Sequence, residues 1–216
     1  MMETFYIMDG VFMAKWKNWE IALLLGLAVT LLWGAWSAAR QENLARKLVR
    51  LHVIANSDNE EDQALKLRVR DKVLDFTTNV LDESADMQEA EERLDEALPE
   101  IQRLAAQEIA AEGYTYGVTA RLEQAEFPHK TYDGFALPAG EYTALRLVIG
   151  EGKGQNWWCV VFPPLCTTAA TELHQTAIAA GWGKDDVSLI TEENEGYVLK
   201  FRSVELWQQF RQWLGK

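Results

Sequence analysis

The feature that most constrains this fold lies at residues 127–166, which hold four of the five prolines, five of the fourteen glycines and both cysteines. Within it, Thr143, Leu145, Leu147 and Ile149 alternate with Tyr142, Ala144, Arg146 and Val148, the two-residue period of a strand. A glycine-rich break at 150–156 then leads into the apolar run 157–162. Two strands joined by such a loop read as a β-hairpin. Trp157 and Trp158 are adjacent, so a strand sends their rings to opposite faces. Either both faces are covered, or one ring is left for a partner.

The N-terminal part sets the compartment. Lys15 and Lys17 precede an apolar stretch at 21–33, and small residues follow at 34–39. Basic, apolar and small, in that order, is the pattern of an export signal, with Ala35 and Ser37, or Ser37 and Ala39, at the cleavage positions. The alternative is an uncleaved anchor, since 21–39 is nearly long enough to span a bilayer. Residues 1–12 add nothing to a signal and Met13 would open one well, so 1–12 read as an upstream-start artefact. The division expected is therefore a signal or anchor at 1–39 and one exported domain at 40–216. A net charge of −12 argues against nucleic acid as a partner and against anionic membrane surfaces. Membrane contact is expected only through the N-terminal segment.

Along the rest of the chain, alternation at 49–55 predicts a strand of mixed burial. Ser57 with Glu60, or Asp58 with Glu61, can form a capping box for a helix reaching Leu81. That helix carries Leu65, Val69, Val73 and Phe76 on one face and a solvated face of Lys66, Arg70 and Asp71 on the other. A second helix, 86–111, contains Pro99, which should kink or split it, and Gly113 ends it. A strand at 115–123 should run antiparallel to 141–149 across a long loop. A short helix at 171–180, strands at 187–191 and 197–202, and a last helix from Ser203 complete the chain. Strands in runs with helices segregated predict an α+β fold, a mixed and mainly antiparallel sheet with helices packed on one face.

Little of the chemistry of catalysis is present. The glycine loop fails the phosphate-loop spacing and is followed by a strand where a helix is needed. His52, His129 and His174 have no partner at metal-ligand spacing, so no metal and no cofactor are expected. A Cys/His hydrolase is conceivable, with Cys159 or Cys166 as nucleophile and His52 or His129 as base, but no nucleophile signature surrounds either cysteine. In an exported chain Cys159 and Cys166 read as one disulfide, with two buried thiols as the alternative. A cell-wall glycan binder, using tryptophans as stacking surfaces, is a third reading. No catalytic residues are assigned and the protein is expected not to be an enzyme.

Several motifs together resemble one family. These are VIANSD at 53–58, DQALKLRVRD at 62–71, LPAGEY at 137–142, IGEGKGQNWWC at 149–159 and FPPLC at 162–166. In order and spacing they are similar to stage II sporulation protein R, over about residues 44–166. The resemblance implies a protein made in the forespore and exported into the space facing the mother cell. There such proteins trigger a membrane-embedded aspartic protease, stage II sporulation protein GA, which processes the precursor of sigma-E. Composition and spacing reach only an exported acidic α+β domain with partner-facing loops. Those loops are polar, shaped by glycine and proline, and held by strands, so they can present a fixed geometry at low ordering cost. The expected contact residues are Asn56, Asp58 and Asp62 after the first strand, Lys130, Tyr132 and Glu141 in the long loop, and Gly152, Lys153, Asn156 and Trp157 at the glycine turn.

Overall fold

The computed structural model describes residues 18–82, 84–166 and 172–191. Lys15, Lys17, the strand expected at 197–202 and the last helix lie outside the described residues. The element order is α1 (Asn18–Ala45), β1 (Val49–Ile54), α2 (Glu60–Leu81), α3 (Met87–Ala111), β2 (Val118–Phe127), β3 (Lys130–Tyr132), β4 (Phe135–Leu137), β5 (Gly140–Ile149), β6 (Asn156–Phe162), α4 (Leu173–Ala179) and α5 (Lys184–Ile190). The fold is α+β, as the pattern predicts.

The four-stranded sheet has the order β2-β5-β1-β6. Strands β2 and β5 form the expected antiparallel pair, from Val118 opposite Ile149 to Phe127 opposite Gly140. The long loop between them folds into a small hairpin of its own, β3 with β4. The predicted hairpin between β5 and β6 is not formed. Strand β1 lies between them, parallel to β5 and antiparallel to β6. All six residues of β1 are buried, against the mixed burial expected from its alternation. Leu51 and Val53 face one side of the sheet and Arg50 and His52 the other, and both sides are covered.

One face of the sheet carries α2 and α3. Leu65, Val69 and Val73 of α2 and Leu94, Ile101 and Ile109 of α3 pack with Leu51, Leu145 and Leu147. Fully burying side chains of this size stabilises by about 1.5–3 kcal/mol each. On the opposite face Phe127, Tyr142 and Val160 pack with the end of α1 (Leu44, then Leu48), the β3–β4 hairpin and the two short helices.

The N-cap of α2 is Asn59, whose side chain accepts from the Asp62 N–H, rather than Ser57 or Asp58. Pro99 neither splits nor ends α3, which runs unbroken through it. Both Pro99 and Asp95 are exposed, so the carbonyl that loses its intrahelical partner can be hydrated. Of residues 187–191, expected as a strand, 187–190 belong to α5 and Thr191 is its extended C-cap, bridged to Phe135. Its start is fixed by the Asp186 carboxylate, which accepts from the Gly183 N–H and pairs with Lys47. Val187 and Ile190 share a buried helical face, and tertiary packing overrides their β-propensity.

The glycine loop is explained by the inserted strand. To reach β6, the chain leaving β5 must cross the exit of β1. Gly152 N–H donates to Ile149, Lys153 N–H to the Asn56 carbonyl and Gly154 N–H to the Ala55 carbonyl. A Cβ on Gly154 would lie 2.2 Å from the Ser57 carbonyl oxygen, and one on Gly150 would lie 2.2 Å from Asn56 Oδ1. We expect Gly154→Ala to cost about 1–3 kcal/mol in urea denaturation. Gly117→Ala, with open space around it, is the control and should change little. Equal midpoints for the two variants would show that the loop does not press on the β1 exit.

Candidate functional site

The loop after β1 and the glycine turn are welded together by buried polar groups. Asn56 donates from Nδ2 to Asp62 Oδ2 at 2.8 Å, and its Oδ1 accepts from the Glu151 N–H at 3.0 Å. Ser57 Oγ donates to the same Asp62 oxygen at 2.6 Å. Burial pushes the Asp62 carboxyl upward, but hydrogen bonds from Ser57, Asn56 and Tyr116 outweigh it and hold the group below the usual carboxylate range. Lys66, expected on a solvated face, is 4% exposed. Its Nζ donates to the Gln155 carbonyl at 3.0 Å and to Gln63 Oε1. Burial lowers its pKa, opposed by the charge of Asp58 and assisted by that of Arg70. Asn56, Asp62 and Gly152 thus hold the turn in place, while Asp58 and Lys153 stand exposed around it. Lys153 pairs with its neighbour Glu151.

Trp157 and Trp158 point to opposite sides of β6, and both sides are occupied. Trp158 stacks on His52, with ring centroids 3.8 Å apart, and meets Phe127 edge-on. Burial lowers the His52 pKa, opposed by a hydrogen bond to Asn156 Oδ1 at 2.8 Å. Trp157 stays 37% exposed beneath the Arg70 guanidinium, which lies 4.2 Å from its ring centroid.

Arg50 was not anticipated as an interior residue. It is fully buried, with its guanidinium 4.2 Å from the Phe127 centroid and 4.8 Å from that of Tyr142. Desolvated cation–π contacts of this kind contribute about 2 kcal/mol each. Nη2 donates to Tyr132 Oη at 2.6 Å, whereas Nε and Nη1 meet no acceptor among the described residues. Burial raises the Tyr132 pKa, opposed by the Arg50 charge; that of Tyr142 is pushed up to about 12 by the same desolvation. The signal available in the sequence was an arginine between Val49 and Leu51 on a strand whose other polar residue is His52.

A cavity of about 740 Å³ wraps the β6 edge, with Tyr132 and Phe135 of the hairpin on one side, Arg70 and Leu74 of α2 on the other, and both tryptophans on its floor. It brings Tyr132 and Trp157, from two of the predicted loops, into one wall. Glu141 lies elsewhere, lining a separate cavity of about 460 Å³ beside the end of α1. Lys130 opens the hairpin, paired with Leu137.

Cys159 and Cys166 form a disulfide, with Cα atoms 6.2 Å apart. The Cys/His hydrolase alternative therefore has no free thiol in this structure. No group of three His, Cys, Asp or Glu side chains able to hold a metal occurs among the described residues. The glycan alternative needs rings aligned on one open face, whereas Trp158 is stacked on His52 and Trp157 lies beneath Arg70.

Helix α1 is long and apolar enough to cross a bilayer, and none of the described residues buries its apolar stretch. This is consistent with a signal or anchor segment. It continues into the domain, where Leu44 is buried.

A mixed-sheet α+β domain carried on an apolar N-terminal helix, with its polar interior spent on holding loops, is the class of protein these features define. A sequence profile described as Stage II sporulation protein R (spore_II_R) matches residues 45–172. The chain is also 37% identical over 150 residues to a Bacillus subtilis (strain 168) protein named Stage II sporulation protein R, covering 68% of this chain and 67% of that one. No solved structure matches. The chain belongs to the stage II sporulation protein R family.

Two outcomes are expected. The folded state favours ionised Asp62, so its contribution is fully present above the unfolded pKa of about 3.9 and is lost as pH falls through the lower folded value. Asp62→Asn should lower stability at neutral pH and flatten the fall of stability below about pH 4, read as urea midpoints from pH 3 to 7. An unchanged difference between wild type and variant across that range would rule out the carboxylate's role. Replacing both cysteines with alanine should cost about 2–3 kcal/mol for so short a loop, and mass spectrometry of the exported protein without reductant should find both thiols blocked. Two alkylatable thiols in a fully active protein would exclude the bridge.

Proposed function

We propose that the protein is a sporulation signal, exported from the forespore, that activates a membrane-embedded aspartic protease of the mother cell (stage II sporulation protein GA) and so causes processing of pro-sigma-E. Membership of the stage II sporulation protein R family carries the reading. The acidic domain and the apolar helix α1 are what an exported, membrane-delivered signal requires. The protein acts by contact and performs no chemistry of its own on the precursor. Its contact surface is drawn from the loops that strands and buried polar groups hold rigid, so that little ordering is needed on binding. Asp58, Lys130, Lys153 and Trp157 supply exposed or half-exposed groups; Asn56, Asp62 and Gly152 fix the backbone that presents them.

Co-expression of the chain with the protease and the sigma precursor in a heterologous host tests this directly. Precursor cleavage should appear only when all three are present and the chain is exported. Deleting residues 21–33 should leave a soluble domain that cannot signal from the forespore. Normal signalling by that cytoplasmic form would overturn the compartment assignment, and cleavage without the chain would remove its role altogether.

A further inference from the structure

Strand β6 is an edge of the sheet, and no strand among the described residues pairs with its outer side. Two hydrogen bonds show which backbone groups that side presents. The Gln155 carbonyl accepts from Ala55 N–H and so points inward, toward β1, while Val160 N–H points outward and donates to Cys166 Sγ at 3.1 Å. Alternation along an antiparallel strand then turns the N–H and C=O groups of Asn156 and Trp158 outward. The disulfide loop caps this edge at Val160, and the stretch before it opens into the 740 Å³ cavity. An edge left unpaired among the described residues is a template for another strand.

The walls specify what kind of strand. Asp71, Asp75 and Asp133 stand exposed around the cavity. Arg70 is the one cation on the wall among the described residues, and it is already paired with Asp71. Trp157 and Tyr132 line the same cavity; Arg70 rests on Trp157, which stays 37% exposed, and Tyr132 stacks on Phe135. Three carboxylates beside partly exposed aromatic surface fit a side chain with an aliphatic stem and a cationic head.

We propose that this groove receives an extended peptide segment of the partner, paired by its backbone with the outward groups of Asn156 and Trp158 and placing an arginine or lysine among Asp71, Asp75 and Asp133. The proposal rests on the reading of the protein as a contact signal and adds where the partner's chain sits and what chemistry it carries.

The test uses the full chain in zwitterionic detergent micelles, with the indole N–H resonances of Trp157 and Trp158 as reporters. The probes are N-acetyl, C-amide pentapeptides Leu-Thr-X-Thr-Leu with X as Arg, Gln or Glu. The Arg peptide should move both resonances saturably, and its affinity should fall at least tenfold when X is Gln or in the D71N/D75N/D133N variant. These aspartates are exposed, so the variant is expected to keep its thermal midpoint. No saturable shift, equal affinity for Arg and Glu peptides, or binding unaffected by the triple substitution overturns the groove. In the co-expression assay the triple variant should lose at least tenfold in precursor cleavage. Full cleavage with the variant overturns the groove while leaving the signalling reading intact. Failure of the wild-type chain to trigger cleavage sinks that reading instead, and the peptide titration still decides the chemistry of the groove.

Discussion

Strand β1 gives up both of its edges, to β5 and to β6, and both of its faces, to the long helices on one side and to the aromatic cluster on the other. Because it separates two strands that follow one another in the chain, the link between them must pass over its end. The glycines, the Asn56 bridge and the buried Lys66 all serve that crossing. A side chain on Gly154 would collide with backbone there, which no rotamer change can relieve. In the resulting order β6 lies at the edge of the sheet, with the two tryptophans on it.

The interior is unusually polar beside this strand. Arg50, His52, Asp62 and Lys66 are all buried or nearly so. A charge removed from water costs several kcal/mol unless its surroundings compensate. Asp62 is compensated by donors and Lys66 by acceptors, while Arg50 relies on aromatic faces and a tyrosine hydroxyl. Each of these groups ties a loop or hairpin to the sheet. Arg50 in particular joins β1 to Tyr132, so the hairpin wall of the edge groove is tied to the buried strand of the sheet. Rigid presentation is what a contact signal needs, since ordering costs subtract directly from affinity.

The candidate surface was partly legible. Polar, glycine-shaped loops between strands marked the regions around Asn56, Tyr132 and Lys153, and two of these regions do meet. The division of labour among their residues was not legible, because a side chain that holds a loop and one that faces a partner look alike until the partner atoms are placed. Asn56 and Asp62 turned inward for this reason. Asp71 had been part of a solvated helix face, and only the packing of α2 beside β6 gives it a shared cavity with Asp75 and Asp133.

Periodicity determined the long helices α2 and α3 and the strands β1, β5 and β6; chain order gave the antiparallel pairing of β2 with β5, and the apolar run at 21–33 marked the N-terminal segment as a signal or anchor. These depend on local repeats of hydrophobicity and on chain-neighbour contacts, which the residue order carries directly. For Cys159 and Cys166, seven positions apart, the sequence left a disulfide and two buried thiols open, and the structure has the disulfide. Tertiary structure decided the rest. The placing of β1 between β5 and β6, the burial of Arg50 and the helical state of 187–190 each depend on partners far away in the chain. Pairing energy between distant strands is set by which faces need covering, and that quantity exists only once the whole sheet is assembled.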